Sequence, residues 1–161
     1  MRPAPSRRHQ AVCGKLFKQI AVFLTDRPCR VYAAPFDVRL PDIDTGLDDD
    51  TTTSVVQPDI SVICDPARLD DRGCRGAPDF IAEIISPATA ARDYIQKRIL
   101  YERSGVREYW LIHPTDRILI IYRPESDGRF AQPVFHPGTG FQEIAVLPEM
   151  AVDLDALFTV D

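Results

Sequence analysis

The chain has 161 residues, of which 45% are apolar, so it can bury one substantial core but is too short for two independent domains. Its formal net charge is −5, so the composition gives no global sign of nucleic-acid binding. No apolar run approaches the roughly 18 residues of a membrane span, and no apolar segment follows the first arginines, so we expect a soluble, cytoplasmic protein.

The chain begins with an amphipathic helix. Ser6 is a suitable cap for the segment SRRHQAVCGKLFKQIAVFL, in which Val12, Leu16 and Ile20 recur on one face. The next segment, CRVYAAPFDVRL, alternates around Pro35, which predicts an edge strand or a strand broken by a bulge. The polar, aperiodic residues 41–54 predict a loop.

Two apolar strands and a second helix follow. The segments VVQPDISVICD and PDFIAEIIS predict strands, and the Gly-rich, charged residues 66–77 between them predict a connecting loop. Ser86 and Pro87 suit the start of a helix, which continues through ATAARDYIQKRILYERS to Gly105.

The remaining segments predict a hairpin, a short strand and a final helical turn. REYWLIHP and RILIIYRP are joined by a turn, and FQEIAVLP and DLDALF complete the chain. The order αβββαβ plus carboxyl-terminal hairpin strands contains one strand–helix–strand crossover, which predicts an α/β domain with a mixed central sheet flanked by helices. Residues 117–123 offer an edge through which a homodimer could pair.

Glu83 is the residue that most needs an explanation, because a carboxylate in a buried apolar strand is costly without a partner. Asp59 begins the preceding strand, and Lys97 lies in the helix that follows. Two carboxylates on adjacent strands predict a site for a hard divalent cation, and a nearby lysine could position a water or neutralise charge on a phosphate.

Five segments together resemble a known nuclease family. They are PSRRHQ, VQPDISVI, PDFIAEIISP, the spaced D…K…Y of the second helix, and GVREYWLIHP. In this order they resemble the PD-(D/E)XK nuclease superfamily and, more closely, the bacterial Uma-type restriction-endonuclease family, long catalogued as a domain of unknown function. The resemblance covers residues 5–123.

The resemblance implies a restriction-endonuclease-like fold and an endonuclease that cleaves DNA with Mg²⁺ or Mn²⁺. By the same resemblance, Asp59 and Glu83 match the metal-binding catalytic acids, and Lys97 matches the catalytic lysine. The usual lysine position, two residues after the acid, is Ile85 here, and members of the resembled family carry the lysine in the following helix. Members also begin with an extra segment, so we expect residues 1–161 to form one domain without it.

Each site residue also has a structural explanation. Asp59 could accept a backbone hydrogen bond at the strand entry, Glu83 could pair with an arginine, and Lys97 could form an i,i+4 pair with Asp93. The second helix has two rows, and the pattern does not settle which faces the sheet. One row is Asp93, Lys97 and Tyr101, and the other is Ala91, Ile95 and Ile99.

Several further residues have two open interpretations. Asp79 is expected at a strand start, too far from Glu83 to share an ion, and Tyr109 and Trp110 are expected in the core. In the first helix, His9 and Gln10 could cap, pack or contact substrate. Its basic residues could bind phosphates or only face solvent; they are Arg7, Arg8, Lys15 and Lys18.

The cysteines and histidines form no recognisable metal motif, so we expect reduced thiols and no zinc site. They are Cys13, Cys29, Cys64 and Cys74, and His9, His113 and His136. A second functional class stays open beside the nuclease: a fold of the same type that binds nucleic acid or a protein partner without catalysis. The enzyme needs a divalent metal, and the binding module does not.

Overall fold

A computed structural model describes residues 4–41, 52–86 and 91–159. The helices are α1 Arg7–Phe23, α2 Ala91–Ser104 and α3 Leu154–Phe158. The strands are β1 Arg30–Ala33, β2 Val38–Pro41, β3 Thr52–Val56, β4 Ile60–Ile63, β5 Leu69–Asp70, β6 Gly73–Arg75, β7 Phe80–Ile84, β8 Glu108–His113, β9 Ile118–Tyr122, β10 Val134–Pro137, β11 Phe141–Glu143 and β12 Ala151–Asp153.

The central sheet has six strands in the order β1-β4-β7-β8-β9-β10. Strands β7 and β8 run parallel and are joined by α2, whereas the other neighbouring pairs are antiparallel. The predicted mixed sheet with one crossover is therefore confirmed. The elements α1, β1, β4, β7, α2 and β8 reproduce the predicted αβββαβ order, and β9 completes the predicted hairpin with β8.

Both faces of the central sheet are covered. Ile60, Phe80 and Trp110 lie on the face that packs against α1 and α3. Ile81 and Tyr109 lie on the opposite face, which packs against α2 and a second sheet. Because alternate residues of a strand point to opposite faces, burial on both sides explains why these strands are almost continuously apolar.

The second sheet differs from the sequence prediction. It has the order β3-β2-β6-β5. Residues 66–77, expected as a loop, instead form a 3₁₀ turn at Pro66–Arg68 and the hairpin of β5 and β6. The predicted loop at 41–54 ends in β3, and its residues 42–51 lie outside the described residues. Strands of two and three residues leave no periodic pattern to detect.

The segment around Pro35 supplies strands to both sheets. Strand β1 pairs with β4 at an edge of the central sheet, and β2 joins the second sheet. The peptide bond between Ala34 and Pro35 is cis. The predicted interruption near Pro35 is confirmed, and the two halves belong to different sheets.

The predicted free edge at residues 117–123 is wrong. Strand β9 is covered by β10, with Val134 opposite Ile121 and Pro137 opposite Ile118. Neither β10 nor β12 was expected from the sequence, because both are short and β10 exposes its apolar residues Val134 and Phe135. The edge strand on this side of the central sheet is therefore β10.

The cysteines also differ from expectation. Cys29 and Cys64 form a disulfide, whereas Cys13 and Cys74 are free thiols. The antiparallel pairing of β1 and β4 sets Arg30 opposite Ile63, which brings the two flanking cysteines together. Their separation of 35 residues gives no local signal of this pairing. Within the described ranges, no helix is long and apolar enough to cross a membrane.

Candidate active site

Strand pairing brings the two predicted acids together. In the antiparallel register of β4 and β7, Ile60 lies opposite Ala82, so Asp59 falls opposite Glu83 one residue further on. The backbone N–H of Ile84 donates a 2.8 Å hydrogen bond to Oδ2 of Asp59. This bond is the strand-entry role that we considered for Asp59, and the same bond holds its carboxylate beside Glu83.

Glu83 is buried, with only 4% of its surface exposed. The hydroxyl of Tyr101 donates a 2.8 Å hydrogen bond to Oε1, and Nζ of Lys97 lies 3.6 Å from the same oxygen. Burial raises the pKa of Glu83 to about 7, Lys97 opposes this rise, and the negative charge of Asp59 adds to it. The partner of Glu83 is therefore a lysine rather than the arginine that we considered.

Helix α2 turns its polar row toward the sheet. Tyr101 is fully buried and Lys97 is half-buried, whereas Ile95 and Ile99 of the other row are exposed. The ammonium group thus reaches Glu83 from the helix, as the family resemblance implies. Ile85 occupies the usual lysine position, and its backbone N–H donates a hydrogen bond to the carbonyl oxygen of Ile112 in β8. The side chain of Asp93 lies outside the described residues, so its pairing with Lys97 stays a prediction.

His9 reaches the same site from the opposite face of the sheet. Its Nε2 lies 3.4 Å from Oδ2 of Asp59, and 12% of its side chain is exposed. The contact with Asp59 raises the pKa of His9, burial opposes that effect, and the charge of Glu83 adds to the rise. The backbone N–H of His9 bonds to Oγ of Ser6, so the cap is Ser6 and the imidazole is available to the site.

Cys13 lies one helical turn beyond His9. Its Sγ is 3.9 Å from the carbonyl oxygen of Asp59. Burial raises the pKa of this thiol to about 12, and the charges of Asp59 and Glu83 contribute. A thiol that stays protonated at neutral pH is a poor nucleophile. We therefore interpret Cys13 as a packing residue.

Other sequence candidates lie outside this group. Asp79 accepts a hydrogen bond from the backbone of Cys64 and contacts Arg107, as expected for a strand-start residue. Tyr109 and Trp110 are fully buried, which confirms their place in the core. In α1, Arg7, Arg8, Gln10 and Lys18 are exposed, and Lys15 donates a hydrogen bond to the carbonyl of Thr159.

The site combines two carboxylates, an ammonium group, a phenol and an imidazole. They are Asp59, Glu83, Lys97, Tyr101 and His9. Within the described part of the chain, no three His, Cys, Asp or Glu side chains are already arranged to hold an ion. Sequence patterns gave no indication that His9 contacts Asp59, because the contact joins residues from different elements.

Comparisons with known proteins bear on the fold and the family of the chain. A crystal structure described as a putative nuclease belonging to DUF820, from Anabaena variabilis, superposes with a TM-score of 0.75 at 19% identity, covering 98% of this chain and 84% of the other. This similarity confirms the predicted fold. No curated protein matches the chain. The family model Uma2, described as "Putative restriction endonuclease", matches residues 1–156, so the chain belongs to that family.

Proposed function

We propose that this protein is a divalent-metal-dependent endonuclease that hydrolyses phosphodiester bonds of DNA. The observation that carries the proposal is the placement of Asp59 opposite Glu83, with Nζ of Lys97 3.6 Å from the Glu83 carboxylate. Membership of a family described as a restriction endonuclease supports the nuclease class. Metal dependence, the DNA substrate and the residue roles are part of the proposal.

The residues present fit a divalent cation. Asp59 and Glu83 would hold Mg²⁺ or Mn²⁺, with waters and substrate oxygens completing the ligand set. The pKa of about 7 at Glu83 reflects burial and the nearby charge of Asp59, which outweigh the opposing effects of Lys97, the Tyr101 hydroxyl and the backbone of Asp59. An additional positive charge at this position would favour the ionised carboxylates. A bound ion would supply Lewis-acid stabilisation of the phosphate and activation of water.

The other residues have distinct roles in this proposal. The ammonium of Lys97 would stabilise negative charge that develops on the phosphate and would hold the attacking water. Tyr101, through its hydrogen bond to Oε1, would fix the rotamer of Glu83. Tyr101 is therefore a positioning residue, whereas Asp59, Glu83 and Lys97 are the proposed catalytic residues.

The direct test is cleavage of plasmid and single-stranded DNA with Mg²⁺ or Mn²⁺. Glu83→Gln and Lys97→Ala are expected to abolish cleavage while circular dichroism stays unchanged. The matched controls are Asp71→Asn, an exposed carboxylate, and Gln96→Ala, the exposed neighbour of Lys97, which should both keep activity. Cleavage that persists in purified Glu83→Gln protein would contradict the proposal.

The second candidate function is a binding module for nucleic acid or a protein partner. It is favoured over the enzyme by the absence, among the described residues, of a preformed three-ligand metal group. Binding of DNA that is unaffected by EDTA and by Glu83→Gln, together with no cleavage under any metal, would favour this module over the enzyme.

The remaining expectations form part of the same proposal. Residues 1–161 act as one domain in the cytoplasm, and a homodimer would place two sites on the two strands of a duplex. Sedimentation equilibrium tests the dimer. The disulfide of Cys29 with Cys64 counts against the cytoplasm, where such bonds are rare. Thiol titration of protein isolated from its native cells tests the compartment: two reduced cysteines would support the cytoplasm, and an intact disulfide would contradict it.

A further inference from the structure

His9 is held in place by the packing of its helix. One and two turns further along α1, Val12 and Leu16 are fully buried in the core cluster that also contains Ile84 of β7. The thiol of Cys13 touches the carbonyl of Asp59 on the same side of the helix. The imidazole therefore approaches Asp59 from a rigid element, as precise ligand placement requires.

The distance between the two side chains, which is long for a charge-assisted hydrogen bond, also fits two ligands of one ion. Charge-assisted N–H···O bonds are about 2.7–2.9 Å long, whereas Nε2 of His9 and Oδ2 of Asp59 are 3.4 Å apart. Two adjacent ligands, each about 2.1 Å from an octahedral ion, stand roughly 3 Å apart. A cation bound by Asp59 would thus lie within reach of Nε2 after a shift of a few tenths of an ångström.

We propose that His9 is a nitrogen ligand of the metal held by Asp59 and Glu83, and that the site therefore prefers Mn²⁺ to Mg²⁺. The inference rests on the proposed metal site and adds its ligand set and ion preference. Mg²⁺ is bound mainly through oxygen, whereas a site with an imidazole follows the order of affinities in which transition metals bind more tightly.

The test measures metal binding and coordination rather than DNA cleavage. Calorimetry with Mn²⁺ and Mg²⁺ gives the two affinities, and electron spin echo spectroscopy of bound Mn²⁺ detects a directly coordinated ¹⁴N. We expect tighter binding of Mn²⁺, ¹⁴N modulation in the wild type, and a loss on the order of tenfold in Mn²⁺ affinity in His9→Gln. Affinity for Mg²⁺ should fall less.

The chain offers a matched control, because it contains only three histidines. The double variant His113→Gln/His136→Gln leaves His9 as the sole imidazole, so ¹⁴N modulation must persist in it. This experiment does not depend on the folding of His9→Gln. The single variant His136→Gln, on the edge strand β10, controls for the loss of any one imidazole and should keep the Mn²⁺ affinity of the wild type.

Each outcome separates the two proposals. Nitrogen modulation that is lost in His9→Gln and kept in the double variant supports the inference. Mn²⁺ that binds in an Asp59-dependent way without ¹⁴N modulation overturns the role of His9 and leaves the metal-dependent nuclease standing. Absence of Mn²⁺ and Mg²⁺ binding in the wild type, with DNA present as well, overturns both.

Discussion

Two buried carboxylates on neighbouring parallel strands have very different surroundings. Glu108 in β8 is fully buried and accepts hydrogen bonds from Nε1 of Trp110 (2.8 Å), the backbone N–H of Val146 (3.2 Å) and Nη2 of Arg123 (3.2 Å). Both of its oxygens are engaged. Glu83 in β7 has the Tyr101 hydroxyl and the more distant ammonium of Lys97, both at Oε1, together with a hydrogen bond from the backbone of Asp59.

The comparison shows that burial alone does not identify a functional acid. Glu108 is satisfied by N–H donors from its own strand, from Arg123 directly after β9 and from a later loop, so its buried carboxylate is fully hydrogen-bonded. Glu83 lies at the other end of the sheet, opposite a second acid, and its raised pKa of about 7 records incomplete compensation. A buried acid with such a deficit of positive charge is a candidate for cation binding.

The largest expected difference is in catalysis. Glu83→Gln should lower the rate of DNA cleavage by roughly 10²–10³-fold or more, because it removes the charge that would hold the ion. Glu108→Gln should leave the rate per folded molecule unchanged. Single-turnover cleavage with both variants, normalised to the folded fraction, measures this. Equal losses in the two variants would remove the distinction that we draw.

Stability should show the reverse order. Glu108→Ala leaves the buried indole N–H of Trp110 and the N–H of Val146 without their acceptor, which should cost about 3 kcal/mol or more of unfolding free energy. Glu83→Gln should be neutral or stabilising at pH 8 without metal, because it removes a poorly compensated charge. Urea unfolding in EDTA gives both values. A Glu83→Gln protein that unfolds more easily than Glu108→Ala would contradict this.

Glu83 should make the stability of the metal-free protein vary with pH. Its pKa is raised from 4.5 to about 7 in the folded chain, so between these values the folded state holds a proton that the unfolded state has released. Stability therefore falls as pH rises through this window, by roughly 3 kcal/mol in total. The free energy of unfolding of metal-free wild type should fall with pH across this window, whereas that of Glu83→Gln should not. Parallel curves would show that Glu83 titrates normally.

The smallest effect is expected at Tyr101. Tyr101→Phe removes the hydrogen bond that favours the ionised form of Glu83, so the pKa of Glu83 should rise further. The loss of unfolding free energy should be about 1 kcal/mol. The pH range over which stability falls should extend to higher pH. A pH series of chemical denaturation measures the shift, with Tyr122→Phe on β9 as the control. An unchanged window would mean that Tyr101 does not act on Glu83.

Local patterns in the sequence predicted the elements that carry the strongest periodicity. The buried face of α1, the apolar run of β7 and the hairpin of β8 and β9 were found, because each is long enough to repeat. The proximity of Asp59 and Glu83 was predicted because the two acids were assigned to adjacent strands. Asp59, Glu83 and Lys97 could thus be proposed together, although the pattern of the second helix did not settle whether Lys97 faces the sheet.

What could not be predicted depends on contacts between distant segments. The hairpin of β5 and β6, the covering strand β10, and the disulfide of Cys29 with Cys64 are set by register and not by neighbouring residues. The approach of His9 to Asp59 is of the same kind, because it needs α1 to dock at one angle on the sheet.

The candidate site is assembled from opposite faces of one sheet. His9 arrives with α1 on one face, Lys97 arrives with α2 on the other, and the two acids stand between them at the ends of β4 and β7. A partly synthesised or partly folded chain that has docked only one layer would lack half of the site. Any activity against the cell's own nucleic acid would therefore begin only when folding is finished.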